Sequence, residues 1–205
     1  MTTGAGGRGP LEAIVLAAGA GTRFGGPKLT TPWRGGTLLD GALAAALMAP
    51  VRGVWVVSGA DPGVFFIAKR FATGQNQSER VRLVRARDHA KGMSASLQAG
   101  LEALPTDAAG AFVFLGDMPR IPAGLTDQLA KALGRGALAA APEFQGRRGH
   151  PVLLSAALFD DLFALEGDVG AREVLDRLSG GELALVPSLD PGVMFDVDTR
   201  ADLAT

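Results

Sequence analysis

The chain has 205 residues, 47% of them hydrophobic and 20% charged, with a formal net charge of -1. That length suits one well-buried core, and the near-neutral balance gives no electrostatic reason to expect polynucleotide binding, so a small neutral or anionic ligand fits better. With no cysteine there are no disulfides, thiolate zinc sites or cysteine nucleophiles, and two histidines are too few for a His-rich metal cage, so any metal site must rely on carboxylates.

Residues 1–10 are glycine-rich, lack the apolar run of a secretory signal, and read as a disordered leader to a single domain expected over residues 11–205. No later stretch is long and apolar enough to cross a bilayer, so no membrane partner is expected and the cytoplasm is the expected location. Short runs rich in β-branched residues alternate with longer Ala/Leu segments, the pattern of an α/β fold with a mostly parallel central sheet flanked by crossover helices. The first strand is predicted near Glu12 to Ala18, followed by a helix from Leu38 to Met48 stopped by Pro50, and a second strand from Gly53 to Ser58. Val64 to Phe71 reads as helical, Gly74 to Glu79 as a polar loop, and Val81 to Val84 as a short strand. A helix from Ser94 to Leu104 leads to a strand at Ala111 to Leu115. Beyond it come a helix at Ala123 to Leu133, strands near Leu138 and Val152, and helices at Ala156 to Leu165 and Val169 to Leu178. Strands at Leu183 to Val186 and Met194 to Val197, and a short helix from about Arg200, close the chain.

In sheets of this kind ligands collect at the carboxyl ends of the strands, and the polar motifs fall there. Leu16 to Lys28 (Leu-Ala-Ala-Gly-Ala-Gly-Thr-Arg-Phe-Gly-Gly-Pro-Lys) leaves a strand with glycines that let backbone N–H groups approach an anion, then supplies Arg23 and Lys28. It is not a Walker loop, because Pro27 separates Gly26 from Lys28 and Leu29 stands where a hydroxyl should follow. Phe24 occupies the third small position of a dinucleotide fingerprint, so that motif fails too. A flexible turn with solvated cations is the bland alternative.

Asp117, in Gly-Asp-Met-Pro directly after an apolar strand, is placed to hold a divalent cation or else to cap the next helix. In Phe195-Asp196-Val197-Asp198-Thr199 two acids alternate, so on a strand only one could join Asp117, and Asp198 reads equally as an N-cap. Gly92, Ser94 and Ser96 sit at a helix start, suited to a nucleotide base or ribose, or simply to capping. His150, in Gly-His-Pro, and Asp168 with Arg172, in Gly-Asp-Val-Gly-Ala-Arg, read as substrate loops, though an i,i+4 ion pair would also explain Asp168 and Arg172. Arg80, Arg82, Arg85, Arg87 and Lys91 form a basic cluster, read as a solvated face or as help for an acceptor phosphate.

Taken in order, Leu16–Lys28, Pro32–Gly35, Gly92–Leu101, Gly116–Pro119, Gly146–Pro151, Gly167–Arg172 and Asp196–Thr199 resemble the molybdenum cofactor cytidylyltransferase family, within the nucleotidyltransferases related to molybdopterin guanylyltransferase. The resemblance implies a Rossmann-like nucleotidyltransferase fold that transfers CMP from CTP to a molybdopterin-type cofactor phosphate and releases pyrophosphate. It also implies Mg2+ as cofactor and a molybdoenzyme or maturation factor as partner.

In the terms of that resemblance, Arg23, Lys28 and Asp117 are catalytic. Leu16, Ala17, Ala18, Gly19, Gly21, Arg23, Lys28, Gly92, Ser94 and Ser96 bind the nucleotide; His150, Asp168 and Arg172 bind the acceptor; Asp117 and Asp198 bind metal. Cytidine users of the family typically carry Leu-Ala-Ala-Gly where guanosine users carry Leu-Ala-Gly-Gly, so Ala18 points to CTP. Where many relatives place an Asn and then an aromatic residue before Gly92, this chain reads Asp88-His89-Ala90-Lys91. The alternatives are transfer to a sugar or alcohol phosphate, a nicotinamide-dependent oxidoreductase, and a nucleotide-binding module without catalysis.

Overall fold

The computed structural model describes residues 9–204, so most of the expected leader lies outside the described residues. The elements are β1 (Leu11–Ala17), β2 (Pro32–Trp33), β3 (Gly36–Thr37), α1 (Leu38–Met48), β4 (Val54–Ser58), α2 (Gly63–Gly74), β5 (Val81–Arg85), α3 (Met93–Glu102) and β6 (Gly110–Leu115). They continue with α4 (Leu125–Gly134), β7 (Ala139–Phe144), β8 (Arg147–Arg148), β9 (Val152–Ser155), α5 (Phe159–Phe163), α6 (Arg172–Arg177) and β10 (Leu183–Pro187). Among the described residues no helix is long and apolar enough to cross a membrane.

The main sheet runs β10-β7-β9-β6-β1-β4-β5, with β8 paired to β7. β1 lies parallel to both β4 and β6, and β4 to β5, while β9 enters antiparallel between β6 and β7. Side-chain alternation along the central strands supplies two apolar faces, each covered by helices. Ala13, Val15 and Ala17 of β1 join Phe112 and Phe114 of β6 under α1, α2 and α4. Ile14 of β1 joins Val57 and Val113 on the other face, under α3, α5 and α6. The result is a three-layer α/β/α fold with a mostly parallel sheet.

The helix at Leu38–Met48 starts where Asp40 accepts the Thr37 N–H at 2.8 Å, and it ends before Pro50. Other expected elements differ. Met194–Val197 is not a strand: Pro191–Met194 forms a 3-10 turn, and Val197 gives its N–H to the Asp117 carbonyl at 3.1 Å. Alternation made this segment look like a strand, but β6 already has β1 and β9 as neighbours, so there is no open edge for it to join. The helix expected over Ala156–Leu165 splits into a 3-10 turn and the short α5, and the one over Val169–Leu178 contracts to α6. Two tight hairpins, β2–β3 and β7–β8, turn through Arg34–Gly35 and Gln145–Gly146 in left-handed backbone, which matches strand twist.

Among the described residues, one carboxylate is fully buried. Glu12 is 0% exposed and accepts from Arg52 Nε at 2.6 Å and from the Gly53 N–H at 3.0 Å. Arg52 also holds Asp107 at 2.7 and 2.9 Å, which locks the loop after α1 to the segment before β6. Burial raises the Glu12 carboxyl above its ordinary range, and Arg52 opposes that shift. Arg52→Met leaves the carboxylate buried without its cation, so the urea midpoint is expected to fall at pH 7. A carboxyl whose folded pKa is raised gains stability as pH falls, so the deficit should narrow towards pH 5 as Glu12 takes up a proton. A deficit constant across that range would show that Arg52 acts through packing alone.

Candidate active site

The loop after β1 is stiff. Gly21 has φ of 61°, and a Cβ there would meet the Gly26 carbonyl oxygen at 2.5 Å, so only glycine fits. The Gly21 carbonyl accepts the N–H groups of Phe24 and Gly25, each at 3.1 Å, which folds the far half of the loop back on itself. Phe24, the residue that broke the dinucleotide pattern, is buried in the core beside Leu29 and anchors the turn. The backbone N–H groups of residues 19–23 donate to no protein group among the described residues, leaving a run of amides for an anion.

Lys28 leaves this loop only 13% exposed, with Nζ 2.7 Å from Asp117 Oδ2 and 3.5 Å from Asp198 Oδ1. Arg23 is 83% exposed and reaches Asp198 Oδ2 at 3.5 Å from the solvent side. Three segments remote in sequence therefore meet in one ionic cluster at the carboxyl ends of β1 and β6. Asp196, two residues before Asp198, has its carboxyl pushed above the ordinary range by desolvation first, then by the charges of Asp198 and Asp117. No cluster of three or more His, Asp or Glu side chains forms a metal cage among the described residues. Asp117 and Asp198 nevertheless bring oxygens to one cationic centre, a donor set that fits a hard divalent ion completed by phosphate and water.

Two cavities open here. One of about 670 Å³ is walled by Leu16, Ala17, Ala18, Gly19, Gly21, Lys28 and Asp117, and by Gly92 and Ser96 of α3 and the turn before it. The second, of about 710 Å³, is apolar on its floor, with Leu97, Val113 and Val152, and carries His150, Arg147, Arg148 and Arg172. Leu16, Met93 and Leu115 wall both.

Most of the expected site residues line one or other cavity; Arg23, Asp198 and Ser94 line neither, Arg23 and Asp198 meeting instead in the ionic cluster, and Asp168 lines the cavity other than the one expected. Ser94 faces neither: its hydroxyl donates to the Gly167 carbonyl at 2.7 Å, because the helix turn points it at the 167–170 loop while Ser96 points to the cavity. Asp168, expected with the acceptor, walls the first cavity and accepts the Met93 N–H at 3.3 Å. Its expected partner Arg172 instead pairs with Asp176 at 3.7 Å, and Asp176 also holds Arg148. Of the basic cluster, Arg80 is tied to the Val51 carbonyl at 2.9 Å, and Lys91 walls the first cavity. Sequence alone assigns no individual role to His89, in the turn after β5, or to Arg147 and Arg148, which make up β8; cations in such turns and hairpins are too common to single out.

His150 holds its place through its backbone N–H, which donates to the Val193 carbonyl at 2.9 Å. Its Nδ1 is buried with no hydrogen-bond partner. Burial holds the imidazole below its ordinary range, against the opposing pull of the Val113 carbonyl and the Asp117 charge.

The MobA-like NTP transferase domain matches residues 13–182. The chain is 28% identical over 195 residues to the molybdenum cofactor cytidylyltransferase of Escherichia coli K12, covering 95% of this chain and 94% of that one. It is 32% identical over 197 residues to the nicotine blue oxidoreductase of Paenarthrobacter nicotinovorans, covering 92% of each. The crystal structure of the Mycobacterium tuberculosis rv0371c homolog from Mycobacterium sp. strain JC1 superposes with a TM-score of 0.75 at 32% identity, covering 95% of both chains.

The His150 environment has a consequence for stability. Its folded pKa is depressed, so below the ordinary histidine value the unfolded chain binds a proton that the folded chain refuses, and stability falls as pH drops from 7 towards 5.5. One such group contributes at most about 1.4 kcal/mol per pH unit. His150→Gln should flatten the slope of urea-unfolding free energy over this range by up to that amount. An unchanged slope would remove His150 as its source.

Proposed function

The chain belongs to the MobA-like NTP transferase family, and on that footing we propose that it transfers CMP from CTP to the phosphate of a molybdopterin-type cofactor, with Mg2+. The observation that carries this reading is the pair of cavities sharing the wall of Leu16, Met93 and Leu115, one anion-binding and one apolar with a cationic rim. The first suits a triphosphate. The second suits a flat ring bearing an anionic group, with Arg147, Arg148, Arg172 and His150 as its polar contacts. The similarity to the cytidylyltransferase supports the choice of CTP and of acceptor, and Ala18 in the first loop agrees with it.

In this mechanism an oxygen of the acceptor phosphate attacks the α-phosphorus of CTP. A new P–O bond forms as the bond to the β-phosphate oxygen breaks, and pyrophosphate leaves with the electron pair. The free amides of residues 19–23 and the Lys28 ammonium hold the triphosphate, and Arg23 closes over it from the solvent side. A magnesium ion, when bound by Asp117 and Asp198, supplies positive charge to the phosphoryl oxygens in the transition state. The acceptor phosphate is already ionised at neutral pH, so no strong base is needed and His150 positions rather than abstracts.

Asp117→Asn should lower pyrophosphate release at least about a hundredfold, as expected for loss of a charge-stabilising group. Near-normal turnover would sink the metal assignment. Lys28→Ala should weaken CTP binding in calorimetry with the fold retained, and an unchanged affinity would count against the loop.

The likeness to the nicotine blue oxidoreductase favours one second reading, a nicotinamide-dependent oxidoreductase with the dinucleotide's pyrophosphate on the loop after β1. Thermal shift separates the two: CTP with Mg2+ should raise the melting temperature and NADPH should not. The opposite result would replace transfer by reduction. Pyrophosphate release assayed with CTP, GTP and ATP against molybdopterin cofactor and a few sugar and alcohol phosphates then fixes the substrates.

A further inference from the structure

The two ends of the nucleotide cavity differ in chemistry. Asp117, Lys28 and the loop after β1 stand over β6 and β1, whereas His89, Ala90 and Lys91 follow β5 at the far end. The strand order β6-β1-β4-β5 places β4 two strand spacings from β6, roughly 10 Å at about 4.8 Å each. The His89 ring lies over the end of β4, against Gly59, where a Cβ would meet His89 Cγ at 2.8 Å and the Ala18 carbonyl oxygen at 2.6 Å. His89 and Lys28 line the same cavity, so a nucleotide with its phosphates at Lys28 and residues 19–23 has room for its base beside His89.

The ring's polarity is fixed. His89 Nδ1 lies 3.0 Å from the Ala86 carbonyl oxygen. A carbonyl only accepts, so Nδ1 carries a proton, and in that tautomer Nε2 is a lone-pair acceptor. Nε2 has no protein partner among the described residues.

Resting on the nucleotidyltransferase reading of this cavity, we infer that His89 reads the base, its Nε2 accepting a hydrogen bond from the exocyclic amine of cytosine. Uracil has the same shape but carries a carbonyl at that ring position, and two acceptors cannot bond. Size cannot separate the two bases; a single acceptor can. Adenine also carries an amine, so CTP against UTP is the comparison that isolates the contact.

The test is calorimetric affinity for CTP and UTP with Mg2+ in the full chain, alongside melting of each variant without nucleotide. Wild type should prefer CTP by about tenfold, the scale of one net hydrogen bond. His89→Phe keeps a planar ring without the acceptor, so CTP should weaken about tenfold and the preference vanish. His89→Gln offers both a carbonyl acceptor and an amide N–H donor, so it should keep CTP and gain UTP, and it carries the test should the Phe variant melt early. A merely structural role would weaken both nucleotides together. A preference for CTP that survives in both variants overturns the inference and leaves transfer from CTP standing. Failure of wild type to bind either triphosphate overturns both. Because the readout is affinity, lack of pyrophosphate release would count against the transfer alone.

Discussion

The Lys28 ammonium, held between Asp117 at 2.7 Å and Asp198 at 3.5 Å, is the interaction on which the site depends. Its partners lie 89 and 170 residues further along the chain, so it ties the loop after β1 to the end of β6 and to the closing segment. Each member needs the others. A nearly buried ammonium is costly without a counter-charge, and two neighbouring carboxylates repel without a cation between them. Backbone contacts reinforce the junction: Gly116 donates to the Leu16 carbonyl at 2.9 Å, and Val197 to that of Asp117 at 3.1 Å. Under the proposed reaction the cluster works by exchange, with the triphosphate replacing carboxylate at Lys28 and a hard cation replacing Lys28 at the carboxylates.

That exchange demands a scaffold that stays put. The loop between β1 and Lys28 is held at one end by the strand and at its middle by Phe24, whose ring is buried with Leu29 while Arg200 lies over it, 5.0 Å from the ring centre. The N–H groups of Phe24 and Gly25 fold back onto Gly21, while the amides of residues 19–23 keep no protein acceptor among the described residues. Preorganised amides need little rearrangement when an anion arrives, which is the condition for strong electrostatic stabilisation.

Much of this was legible in the sequence because it is local. The bounds of α1 follow from an Ala/Leu run that ends before Pro50, and the strands from β-branched runs. Asp117 is conspicuous because a charged residue so soon after an apolar strand needs a reason to be there, and Arg23 and Lys28 because they close a glycine-rich loop that follows another such strand. The failures have two causes, the identity of a non-local partner and elements too short to show a pattern. Met194–Val197 has the alternation of a strand, yet nothing in its own residues reveals that β9 already occupies the neighbouring edge. The strands β2, β3 and β8 have two residues each, too few to show a period. Ser94 and Ser96 look equivalent on paper, and only the docking of the 167–170 loop on α3 decides that one hydroxyl holds Gly167 while the other faces the cavity.

That docking also bears on chemistry. Gly92 has φ of 120°, and a Cβ there would meet the Gly167 carbonyl oxygen at 2.3 Å, so α3 and the loop before α6 touch backbone to backbone. Met93 follows at once and stands in the wall common to both cavities, with Leu16 and Leu115. Under the proposed reaction, the acceptor phosphate would pass this apolar divider to reach the α-phosphorus, near the carboxyl ends of β1 and β6 beside Asp117. Water is the competing nucleophile in any phosphoryl transfer. A divider of Leu and Met side chains offers it no hydrogen bonds, whereas an acceptor whose ring fills the second cavity brings its own oxygen to the junction. Under the proposed reaction, selectivity for transfer over hydrolysis would rest on the apolar residues of the shared wall as much as on the charged residues at its edge.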